Sequence, residues 1–336
     1  MSPASPIVVS MGDPAGIGPE IILKAHEALR GSGIPLLALG DHSVFAAMAA
    51  ALGLPAPIRT DSPSAPPPGD ALAVLEPPVA TNGKVEPGRP DPANAAATMA
   101  AIEAGVSLCR EGRAAALVTA PIAKSVMYEA GFRFPGHTEY LAELTADAPV
   151  EGPRGPAMML SGGGLRVVLV TIHLALRDAI DALSADAIAH TARLTHHALQ
   201  RDFGIASPRL ALAGLNPHAG EGGALGREEI EIVNPVAARL RAEGTGITDA
   251  LPPDTMFHAE ARANYDAAIC LYHDQGLIPV KTLDFHGGVN ITLGLPIVRT
   301  SPDHGTAFAI AGKGEARPDS LVAAIREATA IAERRG

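Results

Sequence analysis

Short apolar runs alternate with longer amphipathic segments along most of the chain. The runs that favour β-strands lie at residues 7–10, 36–40, 72–76, 115–119, 167–172, 210–215 and 268–272. The segments with a helical pattern lie at residues 19–30, 43–52, 93–110, 184–202, 228–243 and 320–334. This alternation is typical of α/β proteins with a largely parallel sheet. Runs such as VVLVTI at 167–172 are apolar at every position, which indicates strands covered on both faces.

Turn-forming residues punctuate these segments. Ser184 and Ser320 stand where a helix N-cap is expected, and SGGGLR at 161–166 favours a hairpin turn. The Pro- and Ser-rich residues 60–69 predict a surface loop, since strand-like sequence resumes directly after them. A domain boundary near residue 125 is expected, because the later part of the chain holds most of the unusual polar motifs.

Composition excludes several classes of protein. The 336 residues are 47% apolar and carry a formal charge of −10, which allows a sizeable core and argues against a nucleic-acid binder. No run of 18 apolar residues is present, so we expect no membrane span, and the amino terminus lacks a signal-peptide pattern. The only cysteines, Cys109 and Cys270, fit a reducing cytoplasm.

Three histidines share one context, because each follows an apolar strand. They are His173, His218 and His273, and about one strand–helix–strand unit separates each from the next. In open α/β sheets, ligands gather at the carboxyl ends of strands. Three imidazoles brought together there would hold one divalent metal and leave a position open for substrate. Zinc suits such donors best, with cobalt, nickel or manganese as alternatives.

Further polar residues suggest binding of an anion and transfer of a proton. In PGHTEYLAE, residues 135–143, Thr138 is a reasonable N-cap, and the helix start with His137 would suit a phosphate or carboxylate. Asp274 follows His273 and would orient it, bind metal or take a proton. Lys281 ends the same segment and would neutralise a phosphate or lower the pKa of a hydroxyl, and Asn290 and Arg299 are polar residues in the Gly-rich, mostly apolar stretch at 285–316. The arginine offers a planar fork for an anion.

No GxGxxG or GxxxxGK[ST] motif is present, so an NAD site would have to differ from the Rossmann type. Several blocks nevertheless resemble one family along nearly the whole chain. The blocks are MGDPAGIGPE, TAPIAK, GHTEYLAE, NPHAGEGGALGREE, YHDQGLIPVK and GVNITLGLPIVRTSPDHGTAFAIAGKG. They resemble the 4-hydroxythreonine-4-phosphate dehydrogenases of vitamin B6 biosynthesis. Their last block is also similar to the adenosine-binding loop of isopropylmalate and isocitrate dehydrogenases.

The resemblance implies a fold: a two-domain α/β/α sandwich of the isocitrate/isopropylmalate dehydrogenase type, with an active-site cleft between the domains. One domain is expected at residues 1–125 plus about 300–336. The other, at about 126–299, would carry the metal and dimer-interface residues. The family is a homodimer with shared active sites, in which the partner subunit supplies one metal ligand.

Site residues are implied in the same way. His173, His218 and His273 match the metal ligands, with zinc foremost and magnesium, cobalt or manganese as alternatives. The positions that match substrate-binding residues are His137, Thr138, Lys281, Asn290 and Arg299. Those expected near NAD or NADP are Asp303, His304, Gly305, Thr306 and Ala309. The catalytic base stays open among Asp254, Asp274 and Lys281.

The implied reaction oxidises 4-phosphooxy-L-threonine at C3 and then decarboxylates it to 3-amino-2-oxopropyl phosphate, in pyridoxal 5'-phosphate biosynthesis. One alternative is a sibling dehydrogenase acting on threonate or erythronate 4-phosphate or on a dihydrodiol carboxylate. Ala123, where the family often has His or Asn, leaves that alternative open. Alternatives from other classes are an NAD-independent, metal-dependent hydrolase or aldolase and a non-catalytic binder of phosphorylated metabolites. No nucleic-acid or membrane partner is expected.

Overall fold

The computed structural model describes residues 5–63 and 71–336, and it is of the α/β class. Its strands are β1 (Ile7–Ser10), β2 (Leu36–Leu39), β3 (Ile58–Thr60), β4 (Ala73–Leu75), β5 (Ala116–Thr119), β6 (Ala157–Gly162), β7 (Leu165–Leu169), β8 (Arg209–Ala213), β9 (Gly246–Leu251), β10 (Ala267–Cys270), β11 (Val289–Leu293) and β12 (Arg299–Pro302). Its α-helices are α1 (Gly18–Ala28), α2 (His42–Leu52), α3 (Ala95–Arg110), α4 (Lys124–Glu129), α5 (His137–Leu144), α6 (Leu176–Asp181), α7 (Ala185–Arg201), α8 (Asn234–Ala242), α9 (Ala259–Arg262), α10 (His273–Leu283) and α11 (Asp319–Arg335).

The chain folds into two compact units. The first comprises Met1–Ala148 and Leu295–Glu333, and the second comprises Pro149–Gly294 and Arg334–Gly336. In the first unit the strand order is β3-β4-β2-β1-β5-β12, and all of these pairings are parallel. In the second unit the order is β11-β6-β7-β10-β8-β9. There β6 pairs antiparallel with β11 and β7, whereas the pairings from β7 through β10 and β8 to β9 are parallel.

Aliphatic side chains fill the core of the first unit, as the scarcity of aromatic residues requires. Val8, Leu39, Ile102 and Leu117 are almost completely buried there. The turn between β1 and α1 is equally buried, and it contains Gly12 in the left-handed region at φ +73°. A Cβ at this glycine would lie 2.4 Å from the carbonyl oxygen of Pro121, so only glycine fits this turn.

The core of the second unit packs helix α10 against the strands β6, β7 and β10. Its members include Leu160, Val167, Ala268 and Val280. The predicted hairpin turn in SGGGLR is confirmed, because Gly162 pairs with Leu165 across the end of the β6–β7 ladder. Gly163 and Gly164 occupy the two central positions with φ values of 57° and 76°, which is the geometry of a tight β-hairpin.

The boundary between the units lies later in the chain than residue 125. Helix α4, which contains residue 125, and helix α5 after it both belong to the first unit, because Met127, Tyr140 and Leu141 pack in its core. The return to the first unit comes at Leu295 instead of about residue 300. Leu295 and Ile297 are also members of that core, which explains the shift.

Capping predictions had mixed outcomes. Ser184 caps α7 by accepting a hydrogen bond from the amide of Ala187. Ser320 lies inside α11, and its hydroxyl accepts the amide hydrogen of Asp303, so its assignment as a cap is wrong. Thr138 is also not a cap, because α5 begins one residue earlier with Gly136 as its N-cap. Within the predicted loop at 60–69, Thr60 ends β3, and residues 64–69 lie outside the described residues.

No helix within residues 5–63 and 71–336 is long and apolar enough to cross a membrane. Cys109 and Cys270 are both free thiols, and burial raises the pKa of each. The expected cytoplasmic location stays a prediction.

Candidate active site

Three adjacent parallel strands of the second unit end at one edge of its sheet. These are β7, β10 and β8, in that order. His173 follows β7, His273 follows β10, and His218 follows β8. The strands run parallel because helices connect them on the faces of the sheet, so their carboxyl ends share the edge where ligands of α/β proteins bind.

His273 is the first residue of helix α10, and a hydrogen bond to Asp274 orients its ring. The Nδ1 of His273 donates a hydrogen bond of 2.7 Å to the carboxylate of Asp274. This bond assigns the proton to Nδ1 in the neutral ring and leaves the lone pair of Nε2 as the acceptor. A carboxylate behind the imidazole is the usual companion of a metal-binding histidine.

The structure brings His173 and His273 together, with ring centroids 5.8 Å apart. Within the described residues of this single chain, no three His, Cys, Asp or Glu side chains gather in metal-binding geometry. His218 lies on the neighbouring loop and is exposed. The three-histidine metal centre therefore stays a prediction, and two of its members are neighbours.

The His218 loop has an unusual backbone. His218, Ala219 and Glu221 all have left-handed φ values, of 54°, 50° and 45°. Such values cost free energy for residues other than glycine, and they cluster at functional sites. The loop must therefore be held in place by contacts with the surrounding chain.

Asp274 borders three neighbouring depressions on the surface of the second unit. Asp274 and His273 line the first with His173, and they line the second with Lys281. The third is lined by Asp274 and Asp254. Asp274 and Lys281 therefore share a depression with His273, whereas Asp254 shares only the neighbouring depression with Asp274. Asp254 and Asp274 are exposed, whereas Lys281 is half-buried and its Nζ lies 5.6 Å from the ring centroid of Phe285.

Asn290 is also in the second unit, on strand β11. Its Oδ1 is buried and makes no hydrogen bond to any described residue. A buried amide oxygen of this kind is costly unless a ligand or water satisfies it. Asn290 therefore remains a reasonable substrate-binding candidate.

A separate cluster of basic side chains lies in the first unit. Arg299 begins β12 beside β5, and its Nη2 donates a 2.6 Å hydrogen bond to the hydroxyl of Thr119 at the end of β5. The side chain is only 3% exposed. Burial lowers the pKa of Arg299 to about 10, against the opposing effect of the Glu139 carboxylate. The guanidinium therefore remains cationic at neutral pH.

His137 lies in the same cluster. Burial lowers the pKa of His137 well below its ordinary value of 6.5, and the positive charges of Arg299 and Lys124 lower it further. Its Nε2 is buried and makes no hydrogen bond within the described part of the chain. A bound anion would offset the positive charges that disfavour protonation of the His137 ring, and it would give the buried Nε2 a hydrogen-bond partner. Thr138 follows at the second position of α5, where backbone amides are open to a ligand.

Aromatic packing positions this helix start. The rings of Phe132, Phe134 and Tyr140 pack with centroid separations of 5.1 to 5.4 Å, and the Tyr140 hydroxyl donates to Glu103. Lys124 and Thr119 were not predicted as site residues. The signal available for them was TAPIAK, residues 119–124, directly after a buried strand.

The segment expected near the cofactor is anchored in the first unit. Asp303, His304, Gly305, Thr306 and Ala309 lie in an exposed or half-buried stretch. The buried carboxylate of Glu20 accepts hydrogen bonds from the amides of Gly312 and Ala316, and Lys24 donates to the carbonyl of Gly314. Helix α1 thereby fixes the far end of this stretch and leaves its exposed residues accessible.

Comparison with known proteins identifies the family. The family model described as "Pyridoxal phosphate biosynthetic protein PdxA" matches residues 33–328. The chain belongs to this family. A PdxA-family relative from Maricaulis maris (strain MCS10), named 4-hydroxythreonine-4-phosphate dehydrogenase, is 69% identical over 337 residues, with 99% of each chain covered.

Solved structures agree with the assignment to the PdxA family. A 4-hydroxythreonine-4-phosphate dehydrogenase from Klebsiella pneumoniae matches with a TM-score of 0.86 and 39% identity, over 98% of this chain and 99% of that one. A terephthalate 1,2-cis-dihydrodiol dehydrogenase from Burkholderia xenovorans LB400 matches with a TM-score of 0.65 and 30% identity, over 97% and 98% of the two chains. The two-unit α/β fold is therefore that of the family.

The basic cluster should bind inorganic phosphate. We expect phosphate to raise the melting temperature of the wild-type protein above that in chloride of equal ionic strength. Arg299→Met should weaken this binding by about 10- to 100-fold, which is the usual range for a charge-assisted hydrogen bond. Differential scanning fluorimetry across a phosphate titration measures the effect. The control is Arg113→Met, which removes an exposed arginine paired with Glu111 and should leave the titration unchanged. An equal response in Arg299→Met would contradict the assignment.

Proposed function

We propose that this protein oxidises 4-phosphooxy-L-threonine at the C3 hydroxyl, with NAD or NADP as hydride acceptor. The resulting 3-oxo acid loses carbon dioxide to give 3-amino-2-oxopropyl phosphate, a precursor of pyridoxal 5'-phosphate. The observation that carries the proposal is the 69% identity with the Maricaulis protein over nearly the full length of both chains, because that protein is named for this substrate.

The basic cluster of the first unit binds an anionic group of the substrate. Arg299 supplies a buried guanidinium that is cationic at neutral pH, and Thr119 fixes its orientation. His137 is neutral in the free protein and becomes a stronger donor as a bound anion raises its pKa. Lys124 adds positive charge, and Thr138 adds a hydroxyl and a helix-terminal amide. In the second unit, Lys281 and Asn290 supply a further charge and an amide for polar groups of the substrate.

The histidines of the second unit fit a divalent metal. His173 and His273 are neighbours, and the Asp274 contact leaves Nε2 of His273 to act as a ligand, with His218 as the third donor. Such a metal, foremost zinc, with magnesium, cobalt or manganese as alternatives, would favour deprotonation of the substrate hydroxyl and stabilise negative charge on oxygen during decarboxylation.

The proton from the substrate hydroxyl needs an acceptor in the protein. Asp274 and Lys281 border a depression with His273, and Asp254 borders the neighbouring one with Asp274. Asp274 also receives the Nδ1 hydrogen of His273, so its first role is to orient that ring. Asp254 and Lys281 are therefore the better placed acceptors, as the general base or as a relay to solvent.

The nicotinamide cofactor is held through its adenosine part by the exposed stretch that includes Asp303, His304, Gly305, Thr306 and Ala309. Space is open at Gly305, where a Cβ would meet no described atom within 4 Å. The network of Glu20 and Lys24 holds the end of this stretch, so the backbone that meets the cofactor is preorganised.

The active enzyme is a homodimer in which each site takes a histidine from the partner subunit. Large apolar side chains surround the histidines on the second unit and are exposed in the single chain. Leu176 is 60% exposed, Ile278 is 63% and Phe285 is 69%. Exposed apolar residues clustered in this way are typical of a surface that another protein covers. A partner's histidine would complete the two-histidine arrangement of the single chain.

An assay of NADH formation at 340 nm with metal-loaded protein tests the proposed reaction. We expect 4-phosphooxy-L-threonine to be turned over with higher kcat/KM than D-threonate or D-erythronate 4-phosphate, with carbon dioxide released in equal amount. Removal of the metal should abolish turnover, and the dephosphorylated substrate should be turned over far less efficiently.

The alternatives give different outcomes in this assay. Preference for a threonate, an erythronate or a dihydrodiol carboxylate would make the protein a sibling dehydrogenase. Substrate cleavage without reduction of NAD or NADP would indicate a hydrolase or aldolase. Binding without turnover would indicate a non-catalytic protein. Each of these results contradicts the proposed reaction.

Subunit mixing tests whether the sites are shared. His218→Ala and His273→Ala homodimers should each be inactive. If His218 of one chain completes the site formed by His173 and His273 of the other, a mixed dimer of these variants has one intact site and one site that lacks two ligands. We expect partial recovery of activity in verified heterodimers that carry two different affinity tags. Mixed dimers as inactive as their parents would show that each site is built within one chain.

A further inference from the structure

The turn between β1 and α1 contacts both functional segments of the first unit. At its start, the amide of Asp13 donates a 2.9 Å hydrogen bond to the carbonyl of Pro121, in the segment that leads to Lys124 of the basic cluster. At its end, the amide of Ile17 donates a 3.0 Å hydrogen bond to the carbonyl of Thr306, in the stretch expected near the cofactor. The turn therefore connects the proposed anion site with the proposed adenosine site.

Asp13 is the only residue of this turn, residues 11–17, with a polar side chain. The residue is only 5% exposed. Its Oδ1 accepts a 3.0 Å hydrogen bond from the amide of Ala15, and its Oδ2 accepts none from any residue that the structure describes. Burial raises the pKa of Asp13, against the opposing effect of the Ala15 amide, and no cation in the described part of the chain offsets that rise.

The fold of the turn does not require a carboxylate at this position. The contact with the Ala15 amide needs one acceptor oxygen, which an asparagine or a serine would supply without burying a charge. Burial of an unpaired charge costs free energy. The second oxygen of Asp13 is therefore suited to a ligand that brings hydrogen-bond donors.

A nicotinamide cofactor offers such donors in the hydroxyl groups of its two riboses. Carboxylates are the usual acceptors for ribose hydroxyls in dinucleotide sites. The ribose next to the nicotinamide must come close to the substrate, because hydride passes directly from the substrate to the nicotinamide. Asp13 lies at the end of the turn that contacts the Lys124 segment, whereas a Cβ at Gly16, near the other end, would lie 3.2 Å from Thr306. This order along the turn matches Asp13 with the nicotinamide half of the cofactor.

We propose that Asp13 is a cofactor-binding residue whose carboxylate accepts hydrogen bonds from the hydroxyls of the ribose that carries the nicotinamide. This inference rests on the proposed use of NAD or NADP. The adenosine half is held by the stretch at 303–309, so different residues bind the two halves of the cofactor. Loss of the carboxylate should therefore weaken only those ligands that contain the second ribose.

Two variants of the full-length protein test this role. Asp13→Asn keeps an acceptor for the Ala15 amide but replaces the second oxygen with a donor. Asp13→Ser keeps a hydroxyl for that amide and removes the second oxygen. Both variants are compared with the wild type by isothermal titration calorimetry with ADP, ADP-ribose and NAD+, of which only the last two contain the second ribose. If the wild type prefers NADP+, the 2'-phosphorylated forms of the three ligands are used instead.

We expect both variants to bind ADP-ribose and the cofactor about 10- to 100-fold more weakly than the wild type, which is the usual range for a lost hydrogen bond to a charged group. Both should bind ADP as tightly as the wild type, because ADP does not reach Asp13. If Asp13→Ser does not fold, Asp13→Asn decides. A folded Asp13→Asn protein with wild-type affinity for ADP-ribose and the cofactor would overturn the inference, and so would equal weakening of all three ligands.

Asp266→Asn is the matched control. The carboxylate of Asp266, in the second unit, also accepts a backbone amide hydrogen, that of Arg209, at 2.8 Å. This variant removes the same charge as Asp13→Asn. It should lower the melting temperature and leave the affinities for all three ligands unchanged.

Binding to the wild type separates this inference from the proposed function. If the wild type binds neither NAD+ nor NADP+, the cofactor site itself is wrong, and the role of Asp13 falls with it. If the wild type binds the cofactor and ADP-ribose, and Asp13→Asn binds both as tightly, the use of a nicotinamide cofactor stands and only the role of Asp13 is refuted.

Discussion

Backbone hydrogen bonds between β7, β10 and β8 determine where every histidine of the candidate metal centre lies. The pairing continues beyond the strands, because the amide of Val170 donates to the carbonyl of Cys270 and the amide of Thr171 to that of Leu271. A slip of one residue in this register would turn each following side chain to the opposite face. The positions of the histidines therefore depend on the register of these strands, which burial of their side chains fixes.

The first unit buries a cluster of basic side chains. It buries the guanidinium of Arg299, which donates a hydrogen bond to the hydroxyl of Thr119, and the positive charges of Arg299 and Lys124 keep the buried ring of His137 neutral. Burial of charge in this way costs stability. An anionic ligand recovers that cost on binding, which is why strongly perturbed groups in a polar cluster indicate a functional site.

Much of this arrangement could be predicted from the sequence. Strands β7, β8 and β10 overlap the apolar runs at 167–172, 210–215 and 268–272, so these strands, and the histidine that follows each of them, could be predicted. Strands β11 and β12 contain Asn290 and Arg299, which interrupt the apolar pattern, and neither strand was predicted. Lys124 and Thr119 were missed because their closeness to Arg299 depends on the pairing of β5 with β12, which lie far apart in the chain. Glu229 is a charged residue in a segment whose pattern predicts a helix, where the surface is its expected place, and its burial depends on the tertiary fold.

Anomalous diffraction from crystals of the cobalt-loaded protein would test the central claim most directly, because it locates the metal independently of activity. The account predicts one strong peak per active site, about 2.1 Å from imidazole nitrogens of His173, His218 and His273. One of these three rings should come from a second copy of the chain. A peak away from these histidines, or bound cobalt with none of them as a ligand, would contradict the account.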